Sequence, residues 1–276
     1  MKKIILSIIA FAAVTTLAAQ DLTILHLNDT HSHIEPERLG EINGHGGIIE
    51  QAIYISEVRE EMGKKNVLLL HAGDFSQGTS YFTELKGQIE IDNLNVMGYD
   101  AVTLGNHEFD NGMEVLAGRL KQLKCPVVCA NYDFSATPLA GLVQPYAIVK
   151  KAGKNIGIIG ILTDISTVVD KSLNQGLEYK NPIPIVQEYA DCLKDEKGCD
   201  LVICLTHLGD KRSKTKGAQI DQDLVSGTTG VDIVIGGHAH SKIEEMQVWK
   251  NAAGEDVVYV TDSLWGLEVG RLDVKF

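Results

Sequence analysis

Short runs of β-branched and other apolar residues alternate along this chain with longer stretches in which apolar positions recur every three or four residues. The short runs predict strands at Leu22 to Leu27, Val67 to Leu70, Ala101 to Leu104, Pro126 to Ala130, Leu201 to Leu205 and Val231 to Ile235. The helix-period stretches lie at Ile48 to Met62, Glu84 to Met97, Glu114 to Leu123, Val186 to Lys194 and Gln219 to Val225. Crossovers of that length favour parallel or mixed sheets covered by helices, because antiparallel neighbours need only a tight turn. Two segments break the alternation. Tyr146 to Leu162 turns around Ala152-Gly153-Lys154-Asn155, and Val248 to Val260 around Asn251-Ala252-Ala253-Gly254, so both predict β-hairpins. Gly270 to Phe276 is a further strand-like run. The polar segment Asp210 to Gln222, with Lys211, Arg212, Lys214 and Lys216, predicts a solvated loop. There is no internal repeat and no low-complexity tract. The pattern as a whole is that of an α/β domain built from two mixed or packed sheets with helices.

The first residues belong to a different pattern. Lys2 and Lys3 precede a run from Ile4 to Leu17 that is apolar except for Ser7, Thr15 and Thr16, and Ala18-Ala19 then meets Gln20-Asp21. A basic start, a short apolar run and small residues before a polar one are the marks of a secretory signal peptide, and the run falls short of the roughly 20 residues of a membrane span. The expected division is a signal peptide over residues 1–19 and one domain over residues 20–276, periplasmic or secreted, with no stable membrane insertion after cleavage. A retained N-terminal anchor is the competing reading.

Composition narrows the partners. Hydrophobic residues make up 44% of the chain and the mean hydropathy is +0.00, which is ordinary globular composition. A formal charge of -12 argues against nucleic-acid polymers, whose phosphates are held by clustered Lys and Arg. A small anion can still be held through metal ions. The five cysteines, Cys125, Cys129, Cys192, Cys199 and Cys204, form neither a zinc-ribbon pattern nor a disulfide framework. Cys192 and Cys199 flank a helix end where a bridge is conceivable, and the other three sit in apolar runs as buried thiols.

The polar residues that follow the strands carry the chemistry. Asp29-Thr30-His31, Gly73-Asp74, Gly105-Asn106-His107-Glu108, Thr206-His207 and Gly236-Gly237-His238-Ala239-His240 each come directly after an apolar run. That order reads as five strand ends delivering carboxylates, an amide and imidazoles to one edge of a single sheet. His26 and His71 lie within strands, and His33 and His45 in loops. A lone histidine is most often a hydrogen-bonded structural residue. Five at strand ends, beside Asp29, Asp74 and Asn106, are a donor set for divalent Zn, Mn or Fe, and eight groups suffice for two ions sharing a carboxylate.

These blocks together resemble the calcineurin-like metallophosphoesterase signature, D-x-H, G-D, G-N-H-[DE], H and G-H-x-H, over about Leu22 to the end of the chain. Leu25 to His31, Gly73 to Thr79 and Gly105 to Asp110, with the signal peptide, look most like the secreted 5′-nucleotidase branch. The resemblance implies a four-layer β-sandwich of two mixed sheets flanked by helices. It implies that Asp29, His31, Asp74 and His240 hold one divalent ion and that Asp74, Asn106, His207 and His238 hold the other. It implies that His107 is no ligand but a proton donor in the transition state, oriented and charged by Asp110. The residue's position before a helix also suits Asp110 as an N-cap, a role compatible with the first. Glu108 would support the site. Asn28 and His33 are expected beside it rather than as ligands, and Gln77 to Thr79 line its mouth or form a turn. The activity implied is hydrolysis of phosphate monoesters, chiefly nucleoside 5′-monophosphates, by attack of a metal-bridging hydroxide. Cyclic-nucleotide or nucleotide-sugar diester cleavage, thiosulfate-ester hydrolysis, and a non-catalytic metal-loaded binding subunit are the alternatives. Secreted 5′-nucleotidases append a second domain that recognises the nucleoside, and the chain ends where it would begin. A separate chain supplying it, or a broader choice of small phosphate esters, is therefore expected.

Overall fold

The computed structural model describes residues 22–213 and 219–276; the signal-peptide reading of residues 1–19, together with Lys214 and Lys216, falls outside them. In chain order the strands are β1 (Leu22–Leu27), β2 (Val67–His71), β3 (Ala101–Thr103), β4 (Val127–Val128), β5 (Val143–Gln144), β6 (Tyr146–Lys151), β7 (Lys154–Leu162), β8 (Leu201–His207), β9 (Ile233–Ile235), β10 (Gln247–Lys250), β11 (Asp256–Val260) and β12 (Gly270–Val274). The helices are α1 (Ile48–Met62), α2 (Ser80–Leu85), α3 (Gln88–Met97), α4 (Met113–Leu120), α5 (Pro182–Asp191) and α6 (Asp221–Gly227).

Two six-stranded sheets form, in the orders β12-β1-β2-β3-β4-β5 and β10-β11-β9-β8-β7-β6. In the first, β1 to β5 run parallel and β12 closes the edge antiparallel to β1, with Leu22 opposite Val274 and His26 opposite Gly270. In the second, β7, β8, β9 and β11 run parallel between the antiparallel edges β6 and β10. Three apolar clusters fill the spaces of a four-layer stack. Leu25, Leu27 and Val102 pack with Ile55 of α1, Ile91 of α3 and Leu116 of α4. Leu22, Ile24 and Leu70 meet Ile158, Ile203 and Ile235 between the sheets. Ile159, Cys204 and Val234 pack on Val186 of α5 and Leu224 of α6. Every residue of β1, β2 and β8 is buried, which is why these strands read as unbroken apolar runs rather than alternating ones. The sheets approach so closely that a Cβ on Gly160 of β7 would lie 2.0 Å from the Val128 carbonyl oxygen of β4.

The expected two mixed sheets with helices are present, but the single-sheet edge needs correction. The donor-bearing loops after β1, β2 and β3 leave the first sheet, and those after β8 and β9 leave the second. The helix expected over Glu84 to Met97 is two, α2 and α3, because Lys86 and Gly87 turn the backbone into left-handed conformations at φ 50° and 84°. The strand expected over Pro126 to Ala130 is confined to Val127–Val128. The first hairpin turns at Ala152 and Gly153, φ 50° and 75°, the handedness that matches twisted strands. The solvated-loop reading of Asp210 to Gln222 fails at its ends: Asp210 and Asp221 are buried. All five cysteines are free thiols, Cys192 and Cys199 included.

Candidate metal centre

The chain reverses sharply at three of the donor-bearing strand ends, those of β1, β2 and β9. Asp29, His31, Asp74, His238 and His240 all have left-handed backbones, with φ between 48° and 76°. For non-glycine residues this is uncommon and costs about 1 kcal/mol or more apiece, so it persists only where neighbours over-determine it. Here the β1–β2 pairing continues past the strands: Asp29 N–H donates to Gly73 O (3.0 Å), His31 N–H to Asp74 O (3.0 Å) and Ser32 N–H to Phe75 O (3.1 Å). Trp265 N–H donates to Asp29 O (2.7 Å), tying in the loop before β12.

The side chains converge around two carboxylates. Asp29 Oδ1 lies 3.7 Å from His31 Nε2, 3.7 Å from His207 Nε2 and 3.5 Å from His240 Nε2. Asp74 Oδ2 lies 3.0 Å from His207 Nε2 and 3.9 Å from His31 Nε2. Asp29, His31 and His240 form one group of donors, and Asp74, His207 and His238 another, each with its ligand atoms within 4.8 Å of one another. His31, Asp74 and His107 form a third such group, so Asp74 faces both halves of the centre.

These residues fit a pair of cations. Asn106 Oδ1 and His207 Nε2 are buried without a hydrogen-bond partner among the described residues. An orphaned buried acceptor costs about 1–3 kcal/mol unless something claims it. His207 Nδ1 donates to Ala72 O (2.8 Å), which fixes the ring with Nε2 toward the carboxylates. Although burial resists ionisation, the charge of His207 and its neighbours holds both Asp29 and Asp74 below the usual carboxylate range. Burial, reinforced by His207, pushes His238 down to about 4, which keeps it a neutral donor. Against burial, Asp74 and Asp29 raise His207 to about 10; the same two charges would draw a cation to that nitrogen.

A hydrogen-bonded frame holds the donors. Asn28 Nδ2 donates to Asp29 Oδ2 (2.7 Å) while its Oδ1 accepts from Asp262 N–H (2.7 Å), and His238 N–H reaches Asp29 Oδ2 (2.9 Å). Glu108 clamps two loops at once: Oε2 accepts from Gly105 N–H (2.6 Å) and Asp74 N–H (3.0 Å), and Oε1 from Ser76 N–H (3.0 Å). A Cβ at Gly105 would sit 2.1 Å from Asp74 Oδ1, so only glycine lets these loops meet. Replacing Glu108 by Ala strands three buried donors and is expected to cost about 3 kcal/mol or more in denaturant unfolding of the metal-free protein. A loss under about 1 kcal/mol would show that the clamp is dispensable.

His107 is set apart from the other four histidines of the motif. What distinguishes it is its partner: its Nδ1 bonds Asp110 Oδ2 (2.7 Å), while its backbone N–H donates to Asp74 Oδ1 (2.9 Å). Burial lowers its pKa, but Asp110 and Asp74 outweigh this and leave it above its ordinary value. The helix-cap reading of Asp110 is overturned: Gly112 is the cap of α4. His33 lies beside the centre, stacked on Trp265 with ring centroids 4.4 Å apart and bonded to Glu37. His26 pairs with Asp262 (2.7 Å), His71 with Thr30 (3.1 Å), and His45 is exposed. Unforeseen in the sequence was Asp210, which accepts from Ser241 Oγ (3.0 Å) and Arg212 Nε (3.0 Å) and so braces the loop carrying His240. Its place in a lysine-rich segment gave no signal of burial.

Residues 22–242 match the calcineurin-like phosphoesterase family. A Treponema pallidum protein named probable 5′-nucleotidase is 34% identical over 93% of this chain and 45% of its own length. The Bos taurus 5′-nucleotidase is 34% identical over 86% of the chain and 41% of its length. A 5′-nucleotidase precursor from Thermus thermophilus superposes with a TM-score of 0.82 at 34% identity, covering 93% of this chain and 51% of that one. The chain thus spans less than half the length of these two curated relatives. That family uses two divalent metal ions, which accords with a donor cluster built on both sides of one buried aspartate. With four layers, two mixed sheets and a match over most of its length, this chain belongs to the calcineurin-like phosphoesterase family.

Proposed function

We propose that this chain is the catalytic unit of a dimetal phosphomonoesterase whose substrates are nucleoside 5′-monophosphates. The observation that carries the reading is a donor cluster divided by Asp74, in which the buried acceptor Asn106 Oδ1 has no partner among the described residues and His207 Nε2 faces both buried carboxylates. Asp29, His31, Asp74 and His240 hold one ion, and Asp74, Asn106, His207 and His238 the other. When bound, two such ions clamp a phosphoryl group, lower the pKa of a water and offset charge on the attacking and leaving oxygens. The protein's own contribution is positional and protic. The neutral side chains Asn106 and His238 keep the site from repelling a phosphate, and Glu108 fixes the spacing of the Asp74 and Asn106 loops. His107, charged through Asp110, donates a hydrogen bond or proton to the ester. The nucleotide preference is supported by the names of the relatives.

Those relatives extend well beyond the matched region, and base recognition is proposed to draw on a further unit, in the same polypeptide or a partner chain. No helix among the described residues is long and apolar enough to cross a membrane. Export is proposed from the basic and apolar pattern of residues 1–19, and N-terminal sequencing of the mature protein, beginning at Gln20, checks it. The activity is tested by phosphate release from AMP, a sugar phosphate and a bis-aryl phosphate diester, with purified protein reconstituted with Mn²⁺ or Zn²⁺. Preferential turnover of AMP is expected. Turnover of the diester alone would overturn the monoesterase reading, and equal rates on AMP and the sugar phosphate would overturn the nucleotide preference.

A further inference from the structure

The loop that carries Asp29 and His31 has a second, hidden side. Asp29 and His31 reach toward the donor cluster, while the residues between and after them, Thr30 and Ser32, turn into the protein. Thr30 Oγ1 meets His71 Nε2 at 3.1 Å. Ser32 Oγ donates to Glu90 Oε1, from the first turn of α3. Ser32, His71 and Glu90 are all buried. His31 and Ser32 are consecutive left-handed residues, φ 48° and 56°, a pair that open backbone would relax. Ser32 is held at three points: its N–H on Phe75 O (3.1 Å), its carbonyl on Thr79 Oγ1 (2.8 Å) and its hydroxyl on Glu90. A hydroxyl donated to a buried carboxylate is among the stronger neutral-donor hydrogen bonds, and it is the only one of the three that reaches α3.

Glu90 is otherwise an expensive residue at this position. Its Oε2 and His71 Nδ1 have no hydrogen-bond partner among the described residues, and both side chains line a cavity of about 30 Å³ with Thr30, Gln51 and Tyr99. That is room for one ordered water, which needs about 10–15 Å³ and two or more polar partners. A carboxylate kept in an apolar helix–sheet interface at this cost is explained by what it holds.

We propose that Glu90 is a positioning residue for the metal centre, acting through Ser32 to fix His31, with a water in the cavity completing the bonds of Glu90 and His71. The inference rests on reading Asp29, His31, Asp74 and His240 as the ligands of one ion, so its loss should fall on that ion alone.

The test is Mn²⁺ titration by calorimetry on the full chain and on Glu90→Leu, Glu90→Gln and Ser32→Ala, with thermal melts in parallel. Substitution of such supporting groups lowers metal affinity about 10- to 100-fold, and that weakening is expected at one of two ions in both Glu90→Leu and Ser32→Ala. Glu90→Gln retains an acceptor for the Ser32 hydroxyl and is expected to restore most of the affinity. The double variant Ser32→Ala/Glu90→Leu should be no weaker than either single one, because both remove the same bond. Native affinity at both ions in Glu90→Leu and Ser32→Ala overturns the inference, as does equal weakening at both ions that tracks the fall in melting temperature. A wild-type protein that takes up no Mn²⁺ overturns the ligand assignment, and this inference with it.

Discussion

Replacing Asp74 by Asn is expected to abolish retention of both metal ions and to lower phosphate release about 1000-fold or more, the scale of a two-metal clamp lost from phosphoryl transfer. Asp74 is the carboxylate common to two of the three donor groups, as His31 is the shared imidazole. Its Oδ2 faces His207 at 3.0 Å and His31 at 3.9 Å, while its Oδ1 accepts the His107 N–H. Asparagine keeps the shape and one acceptor oxygen but removes the charge on which the proposed bridging role depends. The fold has reason to survive, because the apolar clusters on both faces of β2 are untouched. Metal analysis after gel filtration and phosphate release from AMP are the two readings. Two ions retained at wild-type affinity would refute the bridging role.

His107→Asn separates chemistry from metal binding. Loss of a well-placed general acid costs about 10²- to 10⁴-fold in kcat, with both ions retained. The His107 ring bonds Asp110, only its backbone N–H reaches Asp74, and the ring is partly open to solvent. Asp110→Asn gives a finer test. Burial lowers the imidazole's pKa, and Asp110, with Asp74, outweighs it. Removing the Asp110 charge lowers that pKa, so the acid form disappears at lower pH and the alkaline limb of the kcat profile moves downward. Full activity in His107→Asn, or an unmoved alkaline limb in Asp110→Asn, would show that the proton comes from elsewhere.

The strands that build the site were legible because they are buried on both faces: Leu22–Leu27 and α1 at Ile48–Met62 lie where the apolar pattern put them. Short or turned elements were not. Val127–Val128 makes only two residues of ladder, and the break at Lys86-Gly87 was hidden because apolar positions at helical spacing continue on both sides of the glycine. The candidate ligands were legible as residue types after strands, and Glu108 as a supporting residue. Its three-bond clamp was not, since two of its three partners lie on a loop more than thirty residues away. Glu90 and Ser32, 58 positions apart, left no local trace at all.

The chain's sequence by itself determined which donors exist, their order and their attachment to the ends of apolar strands, because periodicity and residue type are local properties. Tertiary structure alone decided that these ends leave two sheets rather than one, that Asp29 meets His238 across 209 positions, and that five donors adopt left-handed backbones. Each of those depends on pairing partners and on strain borne by distant hydrogen bonds. A strand buried on both faces carries no mark of the sheet it joins.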